Sequence, residues 1–374
     1  MRLRQMVSLQ VLRGAAALVV VCHHVVRALT VNLAGEFPDL HLAIPSILRH
    51  DDLIDLGSSG VDVFFVLSGF LMIYISEPYR TGRRTVGHFL MQRLIRIWPL
   101  YVLATLAALA PSILELLRGG PPVPDLGGVR LAGLLFVPSF DAHGVLQPIV
   151  GVGWTLDYEA LFYLCFAAVL LTVRDHLLAG LIGLLAALYL AGSLLPVGTV
   201  PGAFLSNPIL FEFLYGAAIA SFLVQGGAIG RKFGTVALIV GLVGLFACSF
   251  VHGDSPYRLF TRGIPAAMIL MGAVALEQSV TWPALLVRLG NASYSIYLVH
   301  VLVIYRIIHR VLVPMAQIGD GAWAIGVTAA AAIIGAVLAG LLVHTCVEAP
   351  LLAICHAGYD RVRSRWPRPA AEEA

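Results

Sequence analysis

The chain has 374 residues, 59% of them hydrophobic and 12% charged, with a net charge of +3. Ordinary domains carry about 25% charged residues, so this composition excludes a soluble globular protein and makes the bilayer its solvent. The small net charge speaks against nucleic acid, and the five cysteines lack a CxxC pair or metal-type spacing, which speaks against structural zinc and a disulfide framework.

A helix that crosses a bilayer needs about 20 predominantly apolar residues. Ten such runs are read, near 10–30, 58–77, 97–116, 153–172, 177–195, 205–224, 233–251, 262–279, 292–312 and 323–343. They predict an all-α, polytopic integral membrane protein, a bundle of about ten transmembrane helices. Arg13 interrupts the first run and more spans follow, so that run reads as a retained helix and not as a cleavable signal. Leu131 to Pro138 is too short to span and reads as part of a re-entrant or interfacial loop. With the N-terminus inside, cytoplasmic segments hold fifteen arginine and lysine residues and the other side eight, which predicts both termini in the cytoplasm. The membrane domain is expected over 1–350, followed by a short basic cytoplasmic tail over 351–374.

A charged side chain at the centre of a span costs about 2.5–3.5 kcal/mol on insertion scales, so polar residues inside these runs need a partner, a cavity or a task. In the first helix Arg13 and His24 lie about three turns apart on one face, at roughly 16 Å. Arg13 would snorkel and His24 would bond a neighbouring helix in the bland reading. His23 points about 100° away from His24.

The second helix places Asp62 near its outer end and Ser68-Gly69 near its middle, a pair that usually marks close helix packing. Arg80, Arg83, Arg84, Arg93 and Arg96 then form a basic collar, either positive-inside bias or a docking site for a phosphorylated donor. The fourth helix opens with Trp154 and carries Asp157 and Glu159, two carboxylates too deep for packing alone. Glu212 lies in the sixth, and Tyr297 and His300 in the ninth, where each could equally be an inter-helix hydrogen-bond partner.

Taken together and in order, Arg13 with His24, GVDVFFVLSGF, Arg93-Leu-Ile-Arg-Ile-Trp-Pro-Leu-Tyr101, WTLDYEALFY, NPILFEFLYG, LGNASYSIYLVH and Val347-Glu-Ala-Pro350 resemble membrane acyltransferase family 3. The nearest likeness within it is to O-acetyltransferases of bacterial exopolysaccharides. The resemblance implies a ten-helix enzyme of the bacterial inner membrane. It would move an acyl group, usually acetyl from cytosolic acetyl-CoA, to a hydroxyl of a cell-surface polysaccharide or glycolipid. It further implies that His24 and Arg13 are the essential first-helix pair and that the arginines of the collar, Arg83, Arg84, Arg93 and Arg96, meet the donor. The doubled His23-His24 leaves open which ring is used.

In this reading His24 is the general base on the acceptor hydroxyl, and Arg13 holds the phosphates of CoA a pantetheine's reach away. Asp157 or Glu159 would orient His24 or bind sugar, and Ser68 or Tyr297 would steady the oxyanion, with acyl-Ser68 or acyl-His24 as the covalent alternative. Asp62, Trp154, Tyr297 and His300 are candidates for the acceptor side. No metal is expected, and a homo-oligomer is left open. The main rival is a transporter or flippase of a glycan or lipid intermediate, which would not need acetyl-CoA; a structural or sensory membrane protein is the third reading.

Overall fold

The computed structural model describes residues 6–32, 51–119, 128–248, 257–312 and 321–364. The basic residues Arg365 and Arg368 of the expected tail lie outside the described residues. Among those described, the regular structure is helical apart from one isolated bridge, Phe140 to Leu146. Helices are what the composition demands, because backbone groups in hydrocarbon must find their partners within their own segment.

The principal helices are α1 (Val7–Arg27), α2 (Asp51–Tyr74), α3 (Val86–Leu117), α4 (Trp154–Thr172), α5 (Leu177–Ser193), α6 (Glu212–Val224), α7 (Arg231–Cys248), α8 (Ile264–Leu276), α9 (Ser293–Ile307), α10 (Gly321–Val343) and α11 (Ala349–Arg363). Among the described residues nine helices are long and apolar enough to cross a membrane, and the sixth expected run forms only the shorter Pro208–Val224. The last span is longer than its apolar run predicts. A π-helical stretch, His344–Glu348, joins α10 to α11, so Trp323–Arg363 is one continuous helix of 41 residues.

The chain divides into two compact units, Arg4–Leu67 with Ala228–Thr345, and Ser68–Gly227 with Cys346–Ala374 and Met1–Leu3. The first, the α1 unit, is knitted by glycines. A Cβ at Gly290 would stand 2.0 Å from Gln10 O, and one at Gly60 2.5 Å from Ala16 O, so α1 touches its neighbours backbone to backbone. Gly57 lies as close to the Cβ of His23. The core between α1, α9 and α10 is filled by Ala17, Val21, Ile296, Ile304, Ala332 and Ala336. Val236, Ile239, Val240, Val243 and Phe246 remain exposed on α7 at helical spacing, as a face toward lipid would be. The start of α1 is capped by a distant carboxylate: the amides of Val7 and Ser8 donate to Glu277 at 3.0 and 2.7 Å, which satisfies orphan donors and the helix dipole together.

Within this unit Val7 lies beside Glu277, and Gly234 beside Ala275, so the starts of α1 and α7 share one end with the end of α8. The start of α2 lies with His23 and Arg262 at the other end.

In the second, the α3–α6 unit, the rings of Phe162 and Phe213 stack at 4.2 Å, and Phe89 packs against Phe166. Gly69 admits α6: a Cβ there would be 1.9 Å from Phe213 O. Thr85 caps α3 by accepting from His88 N at 3.2 Å, and Pro99 and Pro111 lie within that helix. The short apolar run after it folds as Gly128–Leu131 followed by the 3-10 turn Ala132–Leu135, which ends at Phe136 with φ 58°. Trp98 Nε1 donates to Leu134 O at 2.8 Å and Tyr101 to Gly133 O at 3.2 Å, fastening this turn to α3.

Candidate active site

The α1 unit joins two of the histidines singled out in the sequence. His300 Nε2 and His24 Nδ1 are 3.2 Å apart, with ring centroids at 4.8 Å. His300 is fully buried on α9, and its Nδ1 lies 2.6 Å from Tyr297 O and 3.2 Å from Ile296 O. A carbonyl only accepts, so in the neutral ring Nδ1 of His300 carries the proton and Nε2 is a bare acceptor. His24 Nδ1 then supplies the proton shared by His300 Nε2 and, at 3.0 Å, Val20 O. The lone pair of His24 is thereby fixed at Nε2, and its ring is half-buried, so this nitrogen can act as a base. His23 sits edge-on to His24 at 4.8 Å and is buried against α2 at Gly57. Tyr297 packs on Phe64 of α2 with centroids 5.6 Å apart. Arg13 is half-buried on α1 beside Gly14, which meets the backbone of Leu289 and Gly290.

Two further arginines belong to the same unit's interior. Arg258 donates to the fully buried Asp62 at 3.0 Å, and Arg262, 4% exposed, donates to Ser58. The signal in the sequence was Asp62 itself: a carboxylate in an apolar run requires a cation.

The α3–α6 unit carries the remaining candidates. Glu159 Oε1 accepts from Ser68 Oγ at 2.9 Å and from Tyr163, one turn along α4. Asp157 is buried, 3% exposed, and its Oδ1 has no hydrogen-bond partner among the described residues. Trp154 opens α4 and packs edge-on against Tyr158 at 5.9 Å. Glu212 is fully buried at the start of α6.

The basic collar resolves into distinct parts. Arg96 forms an ion pair with Glu348, which is 1% exposed, and joins α3 to the last long helix. The ring of His88, 3.2 Å from the hydroxyl of Tyr359, reinforces that junction. Arg93 lies over the ring of Phe89 at 6.0 Å. Arg83 and Arg84 are exposed on the turn between α2 and α3, where Arg83 pairs with Glu77. No group of three or more potential metal ligands occurs among the described residues.

The chain is thus a multi-pass helical membrane protein with a hydrogen-bonded histidine pair inside its α1 unit. Residues 6–343 match the family model described as an acyltransferase domain, and the chain belongs to that family as an O-acyltransferase. It is 34% identical over 316 residues to the exopolysaccharide production protein ExoZ of Rhizobium meliloti, covering 79% of this chain and 90% of that protein. It is 28% identical to the acyltransferase MdmB of Streptomyces mycarofaciens, with 100% and 98% covered. A third relative is the peptidoglycan O-acetyltransferase OatA of Listeria monocytogenes, 28% identical over 65% of this chain and 44% of its own length. No solved structure matches.

Proposed function

We propose that the protein transfers an acetyl group from cytosolic acetyl-CoA to a hydroxyl of a cell-surface polysaccharide or glycolipid, acting in the bacterial inner membrane with both termini in the cytoplasm. The observation that carries this reading is the ring-to-ring hydrogen bond that fixes the lone pair of His24 at Nε2. His24 Nε2 takes the proton of the acceptor hydroxyl as its oxygen attacks the thioester carbonyl. The tetrahedral intermediate collapses, the C–S bond breaks, and the imidazolium returns the proton to the departing thiolate. His300 acts as a positioning residue, holding the tautomer of His24. Arg13 lies about 16 Å down the helix from His24 and anchors the donor's phosphates. Exposed Arg83 and Arg84 add positive surface that gathers the anionic donor.

The names of the relatives support the acceptor class: one concerns exopolysaccharide production and another acetylates peptidoglycan oxygen. The test is proton NMR of O-acetyl groups on surface polysaccharide in a deletion strain complemented with wild type or His24→Ala at matched membrane levels. Wild type is expected to restore the acetyl signal and His24→Ala to leave it absent; equal restoration by both would remove His24 from the chemistry.

One observation favours a second scheme. The hydrogen bond from Ser68 Oγ to Glu159 pairs a nucleophile with a base, as an acyl-serine intermediate would require. Rapid mixing with labelled acetyl-CoA distinguishes the two, since only the covalent route leaves label on the protein in the absence of acceptor.

A further inference from the structure

The α3–α6 unit contains a cavity of about 730 Å³, bounded by α3, α4, the turn at Leu135–Pro138 and the short helix Val200–Leu205. Along α3 its wall runs from Gly87 to Ile97, ten residues or about 15 Å. Leu90, Leu94, Ala160, Leu164 and Phe204 make it hydrocarbon-like over most of that length. Three polar side chains break the apolar surface: Tyr163, whose hydroxyl donates to Glu159, Asp157, whose buried Oδ1 lacks a hydrogen-bond partner among the described residues, and Arg93, whose buried Nε likewise lacks one.

A carboxylate sealed in an apolar wall is costly unless a donor reaches it. Water alone would satisfy a small polar pocket, but this one is large, elongated and almost wholly apolar, which suits a chain and not a water cluster. An occupant matched to every part of the wall has a long hydrocarbon chain, a hydroxyl to donate to Asp157, and an anionic oxygen to accept from Arg93. A sugar phosphate on a single long lipid chain has all three. Phosphatidylcholine, with no N–H or O–H group, has nothing to donate to Asp157.

We infer that this cavity binds the lipid-borne form of the acceptor, holding part of its hydrocarbon chain against α3 and α4, with Asp157 accepting from a head-group hydroxyl and Arg93 donating to its phosphate, in place of the donor contact that the family resemblance implies for Arg93. The inference rests on the acetyl-transfer reading for the identity of the acceptor. It adds that the glycan is modified while still attached to its lipid, so the enzyme that assembles sugars on a lipid phosphate supplies the substrate, and the one that releases or polymerises them consumes the product.

The test uses the purified full chain in phosphatidylcholine nanodiscs and a polyprenyl-phosphate sugar with a diazirine in its chain. After irradiation, labelled peptides are mapped by mass spectrometry. Saturable labelling is expected within Gly87–Ile97 and Asp157–Leu164, competed by the unlabelled glycolipid and not by added phosphatidylcholine. Ala160→Trp, which fills the cavity, should lower labelling about ten-fold, and Asp157→Ala should do so by a smaller factor. Equal competition by phosphatidylcholine would show a groove for bulk lipid and overturn the proposal, as would labelling unchanged by Ala160→Trp. Size-exclusion profile and melting temperature check that each variant folds; should Ala160→Trp fail, Leu94→Phe at the rim replaces it, and the competition on wild type decides by itself. Labelling needs no turnover, so loss of the acetyl-transfer reading in the NMR experiment and loss of this one are separate results.

Discussion

The His24–His300 pair of the α1 unit and Asp157 of the α3–α6 unit show buried polarity handled in opposite ways. In the α1 unit the chain Tyr297 O, His300, His24 and Val20 O leaves each ring nitrogen facing the pair with a partner of the right kind. In the α3–α6 unit Asp157 Oδ1 is sealed in a hydrocarbon wall without one among the described residues. A completed network rigidifies and fixes a proton, which suits a catalytic base that must not reorganise during the reaction. An incomplete one carries a cost that a ligand can relieve, which suits a binding site. The same price of burying a polar group therefore marks both places, and the presence or absence of a partner separates them.

That contrast can be broken most sharply at His24. His24→Ala should lower acetyl transfer by about 10²–10⁴-fold, read as turnover in membrane vesicles with matched protein, because it removes the general base. A comparable free energy is expected at Arg96, on stability instead of rate. Arg96→Ala leaves Glu348 buried without its ion partner and should cost about 3–5 kcal/mol, visible as a lower melting temperature. The double variant Arg96→Met with Glu348→Leu should recover most of the loss, since the buried charge goes with its partner.

His300 sharpens the comparison, because its role is indirect. His300→Ala should lower kcat with KM nearly unchanged and by less than the loss at His24, and His300→Gln, whose amide oxygen can accept from His24 Nδ1, should regain part of it. If Ala and Gln behave alike, the hydrogen bond does not position the base. At Gly69 the expected effect is on packing: Gly69→Ala drives a methyl into Phe213 O and should cost about 1–3 kcal/mol of stability.

The smallest effect lies in the loop outside the spans. Burial raises the carboxyl of Asp141, but donation from Val145 N, Gln147 and His143 N outweighs it and holds the group below its ordinary value. A carboxyl lowered in the folded state stabilises the loop above its unfolded pKa, and that contribution disappears as pH falls through the folded one. The protection of the His143 and Val145 amides, taken relative to the intrinsic exchange rate at each pH, should therefore fall on acidification in wild type, whereas Asp141→Asn should be less protected already at neutral pH and respond less to acid.

The membrane character, the spans and much of the site were legible because hydrocarbon tolerates few exceptions: apolar runs must be helices, and each polar residue within them stands out. His24, Asp62, Asp157, Glu159 and His300 could be singled out on that ground. Run length sufficed for most spans and failed at two. Pro208–Val224 is short because its first turn is 3-10 and starts at a proline, and α11 prolongs the last span because Arg96 and the ring of His88 hold that helix against α3.

What the sequence could not determine was who partners whom. His24 meets His300 across 276 residues, Arg96 meets Glu348 across 252, and Arg258 meets Asp62 across 196. No local periodicity encodes such pairings. The packing of α2 at Gly57 and Gly60 brings Ser58 and Asp62 to Arg262 and Arg258 in the interior of their unit. The sequence by itself determined that these groups must be buried in a bilayer, through the cost of polarity in hydrocarbon. Only the tertiary structure decided which were satisfied, because satisfaction depends on glycine-controlled helix contacts a few ångströms wide.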